Sequence, residues 1–192
     1  MSNHKPKLII VTGRPASGKA MLSGKLGRML WLPVVSRDEI KEGYVSTFNT
    51  SHDNLPEDIN GTVTEIFFQN VDFLLSHSVS LIAEAAFQHH VWELQVTKWK
   101  EIADVFLIIC EVDADVATER HIRRGVDEPK RELYHGDNKV VHFKKTGEVL
   151  PPGAYAPPSL DVPTLKVSTL DGYDPELEKI KEKVASSLSL SL

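Results

Sequence analysis

The residues with the plainest chemical content are Gly13-Arg14-Pro15-Ala16-Ser17-Gly18-Lys19-Ala20. Their spacing is G-x-x-x-x-G-K. In that pattern glycines let the main chain curl so that successive N–H groups point inward at phosphate oxygens, and the lysine brings a full positive charge to the terminal phosphates. A helix that starts at such a loop adds the positive end of its dipole. Gly13, Arg14, Ala16, Ser17, Gly18, Lys19 and Ala20 are therefore the candidate nucleotide-binding residues. The pattern normally closes on Ser or Thr, whose hydroxyl ligates Mg²⁺, and an alanine methyl at position 20 cannot do this. Three readings stay open: the metal is held by other groups and water, catalysis is weakened, or the hydroxyl was removed by engineering. Ser17 and Ser23 are near in sequence, but neither is an obvious substitute, and no residue is assigned as a metal ligand.

A second cluster, Ser36-Arg37-Asp38-Glu39, follows the apolar run Leu32–Val35. Ligands of open α/β sheets bind outside the carboxyl ends of the strands, so this cluster should face the phosphate loop. Asp38 could accept or orient the proton of an attacking hydroxyl. Equally, Asp38 or Ser36 could cap a helix beginning near Glu39. Glu84 lies late in another apolar run and needs a partner if buried; it reads as a contact to a substrate, as support for a metal, or as half of a salt bridge to an arginine. Arg120, Arg123 and Arg124, at helical spacing, are followed by Lys130 and Arg131. That local basic excess suits a polyanion, although basic surface runs are often only solvated faces.

The elements that must position these groups alternate. Apolar runs at Leu8–Val11, Leu32–Val35, Ser80–Ala85, Val105–Cys110 and Thr164–Val167 read as strands buried on both faces. Between them, Leu22, Leu26, Met29 and Leu30 mark one helix, and Ile59, Val63, Ile66, Phe67, Val71, Leu74 and Leu75 a longer one. Val91, Leu94 and Ile102 anchor a third, with Trp92 and Trp99 nearby. Asp113 should cap a fourth that is stopped by Gly125, and Leu177, Ile180, Val184 and Leu188 line the last. The expected fold class is α/β: a doubly wound, five-stranded parallel sheet flanked by helices, of the P-loop NTPase type. One domain over 1–192 is expected, with 119–163 as a lid and proline-rich loop insertion. Six of the eleven prolines fall between Asp127 and Pro163, so no helix is expected there.

Composition narrows the classes. The chain has 192 residues, 41% hydrophobic and 26% charged, with net charge −5, which excludes a largely disordered chain and argues against a general nucleic-acid coat. The lone Cys110 excludes an intrachain disulfide. No run reaches membrane-spanning length and the amino terminus has no signal-like core, so a cytoplasmic location is expected.

The cradle Gly13–Lys19 together with Ser36-Arg37-Asp38-Glu39-Ile40-Lys41-Glu42-Gly43 resembles the P-loop kinase-like ATP-binding proteins of the polynucleotide kinase, zeta toxin and chloramphenicol phosphotransferase-like group. The resemblance spans most of the chain, as far as Asp171-Gly-Tyr-Asp-Pro175. It implies ATP and Mg²⁺ as cofactors, Asp38 as catalytic base, and lid arginines, Arg120 and Arg124 first and Arg131 next, beside Lys19. It also places the end of the Glu84 strand beside the acceptor. The function expected is transfer of the γ-phosphate to a hydroxyl of a small molecule or a nucleic-acid end. A nucleotide-binding module, or an impaired NTPase, is the alternative that Ala20 supports. His135, Lys139, His142, Lys144 and Lys145 could extend the substrate-facing surface. No motif separates ATP from GTP, and oligomeric state is not legible.

Overall fold

The computed structural model describes residues 4–190. Five strands form one all-parallel sheet in the order β2-β3-β1-β4-β5: β1 Lys7–Gly13, β2 Val34–Ser36, β3 Leu81–Glu84, β4 Asp104–Glu111 and β5 Thr164–Ser168. The helices are α1 Lys19–Leu30, α2 Arg37–Thr47, α3 Ile59–Ser76, α4 His89–Ile102, α5 Ala114–Asp127, α6 Arg131–His135, α7 Asn138–Thr146 and α8 Leu177–Leu188, with a 3₁₀ turn at His52–Asn54. The runs expected from the sequence end within two residues of every strand boundary.

Alternation along the central strands divides the core in two. Leu8, Ile10, Leu107 and Ile109 face a cluster with Phe67, Val71, Trp92 and Trp99 of α3 and α4. Ile9, Val11, Ile108 and Cys110 face the opposite cluster, with Leu22, Leu26, Ile180 and Val184 of α1 and α8. Each such side chain, once buried, contributes roughly 1.5–3 kcal/mol. This sandwich fixes the carboxyl edge of β1, where Thr12 Oγ1 donates to the Ala85 carbonyl at 2.8 Å and accepts from Trp92 Nε1 at 3.1 Å. Asp113 caps α5 as expected, accepting from the N–H groups of Asp115 and Val116.

Two expectations are corrected. Leu94 and Ile102 are not anchors of α4: they are 63% and 45% exposed, whereas Trp92, Val96 and Trp99 at i, i+4 and i+7 are buried. The large indole rings take the inward face and turn the aliphatic residues to solvent. Secondly, the stretch 127–163 does contain helix. Its prolines lie at 129 and from 151 onward, leaving 130–150 free of them. Within that gap Gly136 and Gly147, both at positive φ, terminate α6 and α7, and the Asp137 side chain caps α7 by accepting from Lys139 N–H. From Glu148 to Pro163 there is no helix or strand. No helix among the described residues is long and apolar enough to cross a membrane.

Candidate active site

The loop from Gly13 to Lys19 stands at the carboxyl end of β1, where its backbone is held in a curl. Ala16 at φ 61° and Gly18 at φ 80° are left-handed residues, and Ser17 N–H closes a turn on the Arg14 carbonyl at 3.1 Å. Such reversals of backbone hand make a concave nest of N–H groups. The N–H groups of Ala16, Gly18, Lys19 and Ala20 donate to no backbone carbonyl among the described residues. Gly13 is required by close approach: a Cβ there would lie 2.5 Å from Ser17 Oγ and 2.6 Å from the Cys110 carbonyl oxygen. From the β5 side, Thr169 Oγ1 donates to the Ser17 carbonyl at 2.7 Å, so the loop is buttressed from outside its own segment.

Register brings the acids to this point. Ser36 pairs with Glu84 across β2 and β3, and Glu84 with Val11 across β3 and β1. Ser36 Oγ donates to Glu84 Oε2 at 2.6 Å, and Lys19 Nζ lies 3.3 Å from Glu84 Oε1. The partner of Glu84 is thus the cradle lysine, not an arginine. Ser36 takes the N-cap position of α2 without a side-chain cap hydrogen bond; the helix begins at Arg37, earlier than the sequence suggests, and its first turn contains Asp38. The Asp38 carboxylate is 44% exposed and lies 3.6 Å from an Arg37 Nη. Burial tends to raise its pKa, but Lys19, His135, Arg37 and Arg131 outweigh that and hold it below the usual value of 3.8. It is ionised near neutral pH, as a group that accepts a hydroxyl hydrogen must be.

Lys19 and Asp38 border one cleft of about 600 Å³, together with Arg14, Ala16, Arg124 and Arg131. Seven Lys or Arg and three acidic side chains line it, in a protein whose net charge is −5. The positive potential is therefore concentrated where the free N–H groups are, which suits a polyanion. Arg124 belongs to α5 and Arg131 to α6. Arg120 stands apart from this lining and donates to the Leu170 carbonyl at 2.7 Å, joining α5 to the loop after β5. Arg123 is exposed and faces Asp127 at 3.7 Å.

His135 and Lys139 also border the cleft. His142, Lys144 and Lys145 do not: Lys144 bonds Glu132 at 2.6 Å and His142 faces Glu148 at 3.9 Å. The described residues contain no cluster of three metal-binding side chains. Ala20 is exposed, and Ser23 Oγ donates back to the Ala20 carbonyl at 3.0 Å. Burial pushes the Cys110 thiol up to about 12, so it is an inert core residue.

Among the cleft residues that sequence reasoning overlooked are Lys41 and Tyr155. Lys41 is buried one turn after Arg37, and that i, i+4 spacing of two cations was its available signal. Tyr155 comes from the proline-rich segment and sits with the Arg14 guanidinium 5.8 Å from its ring centroid. A lone tyrosine among prolines gives no hint of that distant contact.

No protein-family model matches the chain, and no curated protein matches it. Solved structures do. The chain is similar to a candidate kinase of Chloroflexus aurantiacus, with 25% identity and TM-score 0.74 over 98% of this chain and 99% of that one. It is similar in fold to the APS kinase of Mycobacterium tuberculosis, solved with AMPPNP and APS, at 14% identity and TM-score 0.57 over 96% and 98% of the two chains. A sugar kinase of a Janibacter species gives 14% identity and TM-score 0.56 over 97% and 96%. The chain has the α/β fold of P-loop kinases, with Lys19, Asp38, Arg124 and Arg131 on one cleft.

Proposed function

We propose that the protein is an ATP-dependent kinase that transfers the γ-phosphoryl group to a hydroxyl acceptor, with 119–163 acting as lid. The observation that carries this reading is the set of unspent cradle N–H groups beside Lys19, on the same cleft as the ionised Asp38. The cradle and Lys19 bind the phosphates. Asp38 accepts the acceptor's hydroxyl proton as the oxygen bonds to the γ-phosphorus and the bond to the bridging β–γ oxygen breaks, releasing ADP. Arg124 and Arg131 stabilise the charge spread over the transferring oxygens, and Arg120 braces the loop that follows β5. Positioning and electrostatics supply most of the rate in such transfers. The likeness to the polynucleotide kinase, zeta toxin and chloramphenicol phosphotransferase-like group belongs to this proposal.

Mg²⁺ fits the donors in one way. With no hydroxyl at position 20, Glu84 is the acidic group beside Lys19, and its Oε1, which accepts no hydrogen bond, faces the Lys19 ammonium at 3.3 Å. Magnesium commonly takes one or two protein carboxylates and fills the rest of its shell with phosphate oxygens and water; Glu84 is buried against Lys19, so it would support the ion through water and not as a direct ligand. When bound, the ion would neutralise phosphate charge.

Ala20 favours a second reading, a nucleotide-binding module with impaired turnover. Its Cβ is exposed, so a serine fits there without repacking. ATP turnover of the wild type, Asp38→Asn and Ala20→Ser separates the readings. The kinase reading expects acceptor-dependent ADP release that falls roughly 10²–10⁴-fold in Asp38→Asn and rises about tenfold or more in Ala20→Ser. Turnover absent from both wild type and Ala20→Ser, with ATP still bound, favours the module.

A further inference from the structure

The first two turns of α2 place two cations on the cleft, and one of them, Lys41, has no carboxylate partner in the free protein. Lys41 is only 3% exposed, yet no carboxylate lies within salt-bridge distance of it among the described residues; its hydrogen bond goes to the His135 carbonyl at 3.3 Å. Arg37, one turn earlier, gives an Nη to Asn60 Oδ1 at 3.0 Å and to the Asn60 carbonyl at 3.2 Å, while its Nε is buried without a partner. Burial and the neighbouring Arg37 pull the Lys41 pKa down, against the pull of Asp38 and Asp53. Arg37 has Asp38 at 3.6 Å, but the buried Lys41 ammonium has no carboxylate of its own and sits beside a second cation, an arrangement costly to fold around. The arrangement makes sense when an anion completes it.

The cradle and lid already bring Arg14, Lys19, Arg124 and Arg131 to a nucleotide's phosphates. Arg37 and Lys41 are additional, and they flank Asp38 on its own helix at i−1 and i+3. A guanidinium fork beside an ammonium suits a tetrahedral dianion. The far side of this region is walled, because α6 and the following Gly136 pack onto the His52–Asn54 turn so closely that a Cβ at Gly136 would overlap the His52 ring. On the basis of the kinase reading above, we infer that the acceptor is a small phosphorylated alcohol, its phosphate seated on Arg37 and Lys41 and its hydroxyl on Asp38.

The site is read first by titrating inorganic phosphate into the Lys19→Met protein, whose cradle has lost its lysine, and into AMPPNP-saturated wild type. Saturable binding is expected in both, weakened about tenfold or more by adding Lys41→Met or Arg37→Gln. Lys41→Met should fold at least as stably as wild type, and Arg37→Gln carries the test if it does not. Phosphate binding that is absent from both proteins, or unaffected by both substitutions, overturns the inference. Wild type that fails to bind AMPPNP sinks the kinase reading alone, since the Lys19→Met arm needs no nucleotide. Transfer assays then pair ribose 5-phosphate with ribose and add a 5′-hydroxyl oligonucleotide. Preference for phosphorylated sugars, lost in Lys41→Met, supports the inference; preference for neutral alcohols or for the oligonucleotide overturns it.

Discussion

Replacing Lys19 with methionine should do more than remove a phosphate ligand. Lys19 Nζ lies 3.3 Å from Glu84 Oε1, with the two side chains 8% and 1% exposed. Once the ammonium is gone, Glu84 keeps its hydrogen bond from Ser36 but no counter-ion. Breaking a buried pair from one side costs about 3–5 kcal/mol, because the remaining charge is stranded. At this chain length each kcal/mol moves Tm by roughly 2–4 °C, so Lys19→Met should melt about 6–20 °C lower with no nucleotide present. Glu84→Gln should cost less, since Lys19 borders the cleft and can recruit water. The double variant Lys19→Met/Glu84→Gln removes the stranded charge and keeps an acceptor for Ser36, so it should regain much of the loss. The assay is a double-mutant cycle by urea and thermal unfolding, with a coupling energy of about 2 kcal/mol or more expected. A Lys19→Met midpoint within about 2 °C of wild type, or strictly additive effects, would refute the claim that the start of α1 and the end of β3 share a buried, stabilising ion pair. Nucleotide-induced shifts in Lys19 variants must accordingly be read against each variant's own unliganded midpoint.

Other outcomes follow from the same geometry. Ala16 holds a left-handed conformation at φ 61° that penalises an L side chain, so Ala16→Gly should gain about 1 kcal/mol in urea unfolding despite glycine's entropy; a loss of stability would contradict the cradle geometry. Gly125→Ala would put a Cβ 2.5 Å from one Val140 methyl carbon and 2.7 Å from the other, costing about 1–3 kcal/mol. Gly43→Ala, with nothing within 4 Å of the added carbon, should stabilise α2 by up to about 1 kcal/mol, and thermal melts that rank these two the other way would count against the α5–α7 packing. Burial holds His135 below the ordinary histidine value of 6.5 against the pull of Glu42 and Asp38, and burial lowers His52 likewise. The unfolded chain therefore binds these protons more readily, so stability is full above pH 6.5 and declines as pH falls through it. Urea midpoints across that window should show the decline, and His135→Gln should flatten it; an unchanged slope would remove His135 as the cause.

How much could be read in advance depended on how local the determinant was. The cradle is contiguous, and its neighbours in sequence are the strand and helix that form it, so Gly13–Lys19 was legible in full. The buried strands were legible too, because they are apolar on both faces. Asp38 could be placed near the cradle by the rule for strand ends, but its freedom from capping depended on Ser36 turning to Glu84 across two strands. The α6–α7 segment was misread because prolines were weighed over a long window, when the glycines at 136 and 147 were the sharper markers. Trp92 and Trp99 were underrated because bulk, more than aliphatic spacing, decides which face of α4 turns inward. Lys41 and Tyr155 owe their places to α6 and to the loop before β5, far away in sequence. Arg120 shows the limit of helical spacing: it lies on the same helix as Arg124 yet serves the loop at Leu170.

The central claim is that main-chain amides of Ala16, Gly18, Lys19 and Ala20 grip a polyphosphate. Amide NMR of the labelled protein titrated with AMPPNP tests it most directly. Large, saturable shifts at Gly18, Lys19 and Ala20, strongly weakened in Lys19→Met, are predicted. Shifts confined to other segments, or these three amides left unmoved at saturation, would contradict it.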